Sequence, residues 1–284
     1  MTAVLMDGKS VAARVREDVA DQVETLVEQT GVRPGLATIL VGDDPASQVY
    51  VASKRKSCVA AGMLDLHRHL LATTTQRELE AVVDELAGDP AVSGILVQLP
   101  LPDHLDPDAV IARIPASKDV DGLTTASAGL LARGLPGLRP CTSAGVVELL
   151  DAYSIPLDGA HAVVVGRSAL VGKPLAQLLV ARNATVTTCH SRTASLAEHT
   201  VRADIVIAAA GVPGLIDARG VRAGATVVDV GIHRTPTGLC GDVDFHSVRA
   251  VAGHLTPVPG GVGPMTIAML LSNTVTAARH TVSR

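Results

Sequence analysis

Short apolar runs, most of them closed by glycine or proline, alternate with longer stretches of helical period along this chain. A strand that returns to its own sheet through a helix runs parallel to the first, because the helix carries the chain back to the starting end. Residues 11–28 place apolar side chains at helical spacing and stop before Gly31 and Pro34. Residues 36–41 predict a buried strand, 46–61 a helix stopped by Gly62, and 64–70 an alternating strand. A helix over 75–87 and a strand over 94–98, cut by the prolines at 100 and 102, complete the first series. Loop-like sequence then runs from Pro115 to Gly137.

A second series starts at His161, with strands at 162–165, 185–189, 204–209, 226–230 and 254–258. Helices are expected at 173–182 and 196–201, and residues 266–278 form an apolar helical stretch long enough to dock on the first domain. A chain of 284 residues has room for two cores, and with no Trp, two Tyr and one Phe those cores must be aliphatic. A net charge of −4 gives no broad electrostatic footprint for nucleic acid or an anionic membrane. No run reaches the roughly 18 apolar residues of a membrane span. The first ten residues lack an export pattern, which makes the cytoplasm the expected compartment. Cys58, Cys141, Cys189 and Cys240 are scattered and form no disulfide or zinc pattern. His67 and His69 share a strand face without a third ligand, so no metal site is expected.

The strand ending at Val165 runs into Gly166–Arg167–Ser168, and Pro174 opens a helix. Gly166 permits the sharp turn, and the free N–H groups at the helix start suit a phosphate. Ser168 stands where the dinucleotide pattern expects a second glycine, which weakens the motif. NAD-binding domains place a carboxylate at the end of the next strand to hold the ribose hydroxyl. Here that strand ends Cys189–His190–Ser191–Arg192, so the reading is NADP, with Arg167 and Ser191 available to a 2′-phosphate. Arg167 and Arg192 could equally be solvated surface cations.

In the first half, Tyr50 and Lys54 lie one helical turn apart after the first parallel strand. A lysine there can lose its proton when desolvated, which an arginine cannot. Taken alone, the pair also reads as ordinary amphipathic packing with a solvated amine. Gln98 ends a strand, where open parallel sheets bind ligands, or it is a polar strand-end cap. Asp121 in Lys118–Asp119–Val120–Asp121–Gly122 could be a simple turn aspartate. Three glycines at 260, 261 and 263 leave bare backbone that a flat ligand could approach.

Six motifs occur together: PASxxYVxxKxK from Pro45, VQLPLP from Val97, KDVDG from Lys118, VVGRSxxVGxP from Val164, ATVTxxHSxT from Ala184 and PVPGGVGPMT from Pro257. In order and spacing they resemble the bifunctional methylenetetrahydrofolate dehydrogenase/methenyltetrahydrofolate cyclohydrolase family over essentially the whole chain. The resemblance implies an α/β fold with a parallel-sheet substrate domain over residues 1–140, a C-terminal helix within 267–284 packing back on it, and a Rossmann-like NADP-binding domain over 141–266, with a cleft between the domains. It implies NADP-dependent oxidation of 5,10-methylenetetrahydrofolate and hydrolysis of the methenyl product to 10-formyltetrahydrofolate. Lys54, Gln98 and Asp121 would be catalytic. Tyr50, Val97, Leu99, Pro259, Gly260 and Gly261 would meet the folate, and Gly166, Arg167, Ser168, Ser191 and Ile232 the cofactor. It also implies a homodimer that takes tetrahydrofolate derivatives as substrate.

Two positions depart from the family pattern. Ser143 stands where the family usually has proline, and Ser127 where it commonly has asparagine. Ser143 is expected to cost a rigid turn near the domain junction. Three other readings stand beside the bifunctional one: a relative with only one of the two activities, an NADP dehydrogenase of another small metabolite, and a cofactor sensor without turnover.

Overall fold

The computed structural model describes residues 2–236 and 238–282. The chain opens with β1 (Val4–Leu5), α1 (Gly8–Thr30), β2 (Gly35–Val41) and α2 (Pro45–Ala60). Next come β3 (Leu64–Asp65), β4 (Arg68–Leu70), α3 (Gln76–Gly88), β5 (Gly94–Val97) and α4 (Pro107–Ala112). The middle holds α5 (Thr125–Ala132), α6 (Cys141–Ala152), β6 (His161–Val165), α7 (Gly172–Ala181), β7 (Thr185–Cys189) and α8 (Leu196–Thr200). The last part adds β8 (Ile205–Ala208), β9 (Thr226–Asp229), β10 (His233–Thr235), β11 (Gly238–Cys240), α9 (Phe245–Arg249), β12 (His254–Leu255) and α10 (Val262–Val282). These elements form two compact units, Arg14–Cys141 with Ile267–Arg284, and Met1–Ala13 with Thr142–Thr266.

In the first unit β2 lies at the centre of a parallel sheet, paired with β3, β4 and β5. Every residue of β2 and β5 is buried, as a parallel strand covered on both faces requires. One face of β2 carries Leu36 into a cluster with Val19, Val23, Cys58 and Leu271. The other carries Ala37, Ile39 and Val41 against Leu79, Val83 and Leu86. Helix α3 starts on a capping box, with Thr75 and Glu78 each satisfying the other's backbone N–H. The strand expected over 64–70 divides into β3 and β4. The interruption includes His67, whose ring folds back on the Thr38 hydroxyl at 2.9 Å and carbonyl at 3.0 Å. Residues 118–120 continue the sheet edge, since Ile95 N–H donates to the Lys118 carbonyl at 2.8 Å and Ile95 bridges Asp119 in parallel.

The segment expected as loop from Pro115 to Gly137 contains α5. That helix has no polar stripe to read, and it begins because the Thr124 hydroxyl accepts the Ser127 N–H at 3.1 Å. The hairpin of β10 and β11 was equally illegible, with three residues per strand.

The second unit is built on a six-stranded parallel sheet in the order β1-β12-β9-β8-β6-β7. Val163, Val165, Val206, Val227 and Leu255 fill one of its faces. From β6 the chain passes to β7 on one side and to β8 on the other, so the strand order reverses at β6. Open sheets bind ligands at such a reversal, in the crevice outside the strands' carboxyl ends. The N-terminal residues depart from the expected 1–140 domain. β1 pairs with β12, and Met6 N–H donates to the Leu255 carbonyl at 2.9 Å. A two-residue strand carries no period that a sequence could display. Among the described residues no helix is long and apolar enough to cross a membrane.

Met6 is fully enclosed, so Met6→Ala leaves a cavity in the unit containing β6 to β12. Its stability should fall by about 2–5 kcal/mol, read from urea denaturation followed by circular dichroism. A loss below about 0.5 kcal/mol would show that the N-terminal strand is not part of that core.

Candidate active site

Helix α2 begins directly after β2, with Pro45 in its first turn and the Asp44 carboxylate accepting the Ser47 N–H at 2.7 Å. This start fixes the helix over the carboxyl end of the sheet and sends Lys54 towards β5. Lys54 Nζ donates to Gln98 Oε1 at 3.0 Å. The Gln98 backbone N–H still belongs to the ladder, donating to the Ile39 carbonyl at 2.9 Å. Its side-chain Nε2 donates to the Leu99 carbonyl at 2.5 Å, which turns Oε1 towards the lysine. Lys54 is half-buried, and burial of its amine pushes the pKa below the ordinary lysine value. The carboxylate of Asp121 acts in the opposite sense.

Asp121 is presented by a turn that its neighbours hold rigid. Asp119 is buried, and its oxygens accept the Leu123 N–H at 3.0 Å and the Thr124 N–H at 2.8 Å. Gly122 has φ of +69°, and a side chain there would run into the backbone of Arg139 and Pro140. Asn273 of α10 ties the two segments together, its Nδ2 donating to the carbonyls of Val120 and Arg139, each at 2.8 Å. The buried Cys141 thiol donates to the same Val120 carbonyl at 3.1 Å. Burial raises the Asp121 carboxyl above its usual range, and the Lys54 ammonium opposes that rise.

Lys54, Gln98 and Asp121 are thus brought together at one end of one sheet. Tyr50 stands on α2 with about half its surface exposed (49 %). Val97 is buried at the end of β5 and Leu99 half-buried beyond it. Sequence reasoning missed Asn273, Asp119 and Cys141 as supports of the Asp121 turn. The one asparagine of a helix otherwise made of apolar and hydroxyl residues through Ala278 was the signal available for Asn273.

The remaining predicted residues belong to the other unit. Gly166 ends β6 with φ of +131°, and a side chain there would collide with Ala209 and Ala210 at the end of β8. Arg167, Ser168 and Ser191 are exposed around this crevice, as is Ile232 after β9. Ser168 proves to be a cap for α7: its hydroxyl accepts the Val171 N–H at 3.2 Å and the Gly172 N–H at 3.4 Å. Bare glycine at the turn, exposed Arg167 and Ser191 at the rim, and no carboxylate after β7 suit a dinucleotide with an extra phosphate. Pro259 follows a cis peptide, and Gly260 and Gly261 pack against Lys9 and Gly8.

Ser143 lies in the first turn of α6, not in a connecting turn as expected. It is fully buried, and its hydroxyl donates to the Val171 carbonyl at 3.1 Å. Ser127 is buried in α5 and accepts from the Thr124 hydroxyl at 3.2 Å. Among the described residues no group of three or more His, Cys, Asp or Glu is placed to hold a metal. His69 Nε2 instead faces the Gly42 carbonyl at 2.9 Å.

Residues 6–121 match the catalytic domain of the tetrahydrofolate dehydrogenase/cyclohydrolase family, and residues 140–282 its NAD(P)-binding domain. The chain is 67% identical over 279 residues to the bifunctional protein FolD 2 of Frankia alni, covering 98% of this chain and 97% of that one. It is similar to the crystal structure of the bifunctional FolD enzyme of Campylobacter jejuni, with a TM-score of 0.96 and 47% identity over 98% of this chain and 99% of the other. It is also similar to the Trypanosoma brucei enzyme complexed with NADP and an inhibitor, with a TM-score of 0.95 and 40% identity over the full length of both.

The chain has five lysines, so the titration of each ε-amine can be followed by NMR. Lys54 should titrate below the ordinary lysine value, because its amine is desolvated. Asp121→Asn removes the charge that favours the ammonium, so the Lys54 midpoint should move lower still. A midpoint that stays put or rises in this variant would show that the two groups are not coupled.

Proposed function

Because the chain belongs to the tetrahydrofolate dehydrogenase/cyclohydrolase family, we propose that Lys54, held by Gln98 and tuned by Asp121, is the proton-transfer residue of its two-step one-carbon chemistry. The enzyme oxidises 5,10-methylenetetrahydrofolate to 5,10-methenyltetrahydrofolate with NADP, then hydrolyses that product to 10-formyltetrahydrofolate. NADP, when bound, supplies the acceptor for the hydride that leaves the methylene carbon. Gly166, Arg167, Ser168, Ser191 and Ile232 would hold it.

Methenyltetrahydrofolate is an amidinium-like cation, which a fixed positive charge would repel and a neutral amine tolerates. Water adds to its one-carbon centre and gives up a proton, which the neutral Lys54 accepts. The bond from that carbon to N5 then breaks as the added hydroxyl loses its remaining proton to solvent and becomes the formyl oxygen, and the lysine returns the first proton to the departing nitrogen. The carbon stays on N10 as a formyl group. Gln98 serves the cycle by offering the amine an acceptor oxygen, so the lone pair is aimed and not rotating. The Asp121 carboxylate suits the amino and ring N–H groups of the pterin, a planar fork that it can accept from bidentately. Tyr50 offers an aromatic face for stacking. Val97 and Leu99, at the end of β5, would supply further folate contacts.

The observation that carries this reading is the enclosed Lys54 amine, 3.0 Å from Gln98 and desolvated at the carboxyl end of a parallel sheet. Cytoplasmic residence and assembly as a homodimer belong to the same proposal and rest on the family resemblance.

Lys54→Met keeps the stem and deletes the base. Hydrolysis of methenyltetrahydrofolate should fall by a factor of about 100 or more. NADP binding by the same variant should stay within twofold of wild type. Retained hydrolysis would remove Lys54 from the mechanism.

The cofactor reading has its own test. Ser191→Asp puts a carboxylate where a 2′-phosphate would lie, so NADP should weaken by about tenfold or more while NAD changes little. Equal effects on the two nucleotides would show that Ser191 does not meet that phosphate.

A further inference from the structure

Two carboxylates buried beside the crevice of the six-stranded sheet take no part in the chemistry described above. Asp242 is wholly enclosed, at 0% exposure. Its Oδ2 accepts from the Ala210 N–H at 2.6 Å and the Gly211 N–H at 2.8 Å. Its Oδ1 meets His233 Nε2 at 2.7 Å. Asp229, at the end of β9, holds the base of the same cluster: Oδ1 accepts from the N–H groups of Gly231 at 3.0 Å and Asp242 at 2.9 Å, and Oδ2 from Val243 at 3.0 Å. The packing leaves no room for side chains, since a Cβ on Gly231 would strike the Asp242 carboxylate and one on Gly241 that of Asp229.

The segments that Asp242 holds are those that frame the strand-order reversal. Ala210 and Gly211 follow β8, and a side chain on Gly166 would strike Ala209 and approach Ala210 N to 3.3 Å. Residues 209–210 are therefore the wall against which the glycine turn of β6 is set. On the other side, His233 and Gly231 flank Ile232, whose side chain is 46% exposed. One carboxylate thus fixes both the backbone behind Gly166 and the segment carrying Ile232. Ionised acceptors make shorter and stronger hydrogen bonds than neutral ones, which suits a residue that must fix loops with few apolar contacts.

We propose that Asp242 is the positioning residue of the cofactor crevice, its two oxygens setting the spacing between the 210–211 backbone and the 231–233 segment that NADP requires. This rests on the reading that NADP binds at that crevice. Asp242 acts through the backbone it holds and touches no reacting atom.

The experiment compares NADP dissociation constants, from calorimetric titration of the full-length protein, with the rate of methenyltetrahydrofolate hydrolysis measured without nucleotide. Asp242→Ala loses three hydrogen bonds and should raise the NADP dissociation constant by about tenfold or more. Hydrolysis should change by less than about twofold, because Lys54 and its supports lie in the other unit. Asp242→Asn should restore affinity to within about threefold of wild type. Its amide oxygen can still accept from Ala210 and Gly211, and its NH₂ can donate to an unprotonated His233. An unchanged dissociation constant in the alanine variant overturns the proposal. So does a parallel loss of both readouts, or an asparagine variant as weak as alanine. If Asp242→Ala does not fold, His233→Ala decides: a rise of about threefold in the NADP constant with hydrolysis intact supports the proposal, and no change overturns it. Wild-type protein that binds NAD and NADP equally poorly would instead overturn the cofactor reading, and this proposal with it.

Discussion

An amine can serve as a base near neutral pH only where water is kept from stabilising its charged form. Lys54 meets that condition because α2 lies over the carboxyl end of a sheet whose central strands are buried along their whole length. A neutral amide at 3.0 Å aims the nitrogen without fixing its charge, and the nearby Asp121 limits how far the pKa can fall. Replacing Gln98 by a carboxylate would hold the lysine protonated, and replacing it by an apolar residue would leave the amine unaimed. The hold of the amine on its proton is set by this balance between desolvation, which weakens it, and one carboxylate, which strengthens it.

The strands that could be read from sequence were those covered on both faces. β2, β5, β6, β8 and β9 each display a β-branched or aliphatic run, so the pattern and the burial coincide. Elements whose existence depends on a distant partner left no such mark. β1 is two residues long and exists because β12 pairs with it. Helix α5 has no polar face, and the β10–β11 hairpin is too short for alternation to show.

The site divides in the same way. Lys54, Gln98 and Asp121 could be picked out because their side chains stand at motif positions and strand ends, where chemistry leaves a signature in residue type. Asn273 and Asp242 could not, because each works by bonding to backbone N–H or C=O groups contributed by remote segments. Backbone groups are the same at every position, so nothing in the sequence marks which ones an aspartate will find. Ser143 shows the converse. Its residue type suggested a lost turn, whereas the structure uses its hydroxyl to satisfy a carbonyl beside the start of α7.

The pairing of β1 with β12 and the return of residues 267–284 to the unit formed by residues 14–141 have a shared consequence for biosynthesis. β1 has no partner until residues 254–255 are made, and Val19, Val23 and Leu36 lack part of their packing until Leu270, Leu271 and Val275 follow. Neither core can therefore close in step with synthesis of its first segments. Sheet edges and apolar faces made early stay open until segments far along the chain arrive to cover them.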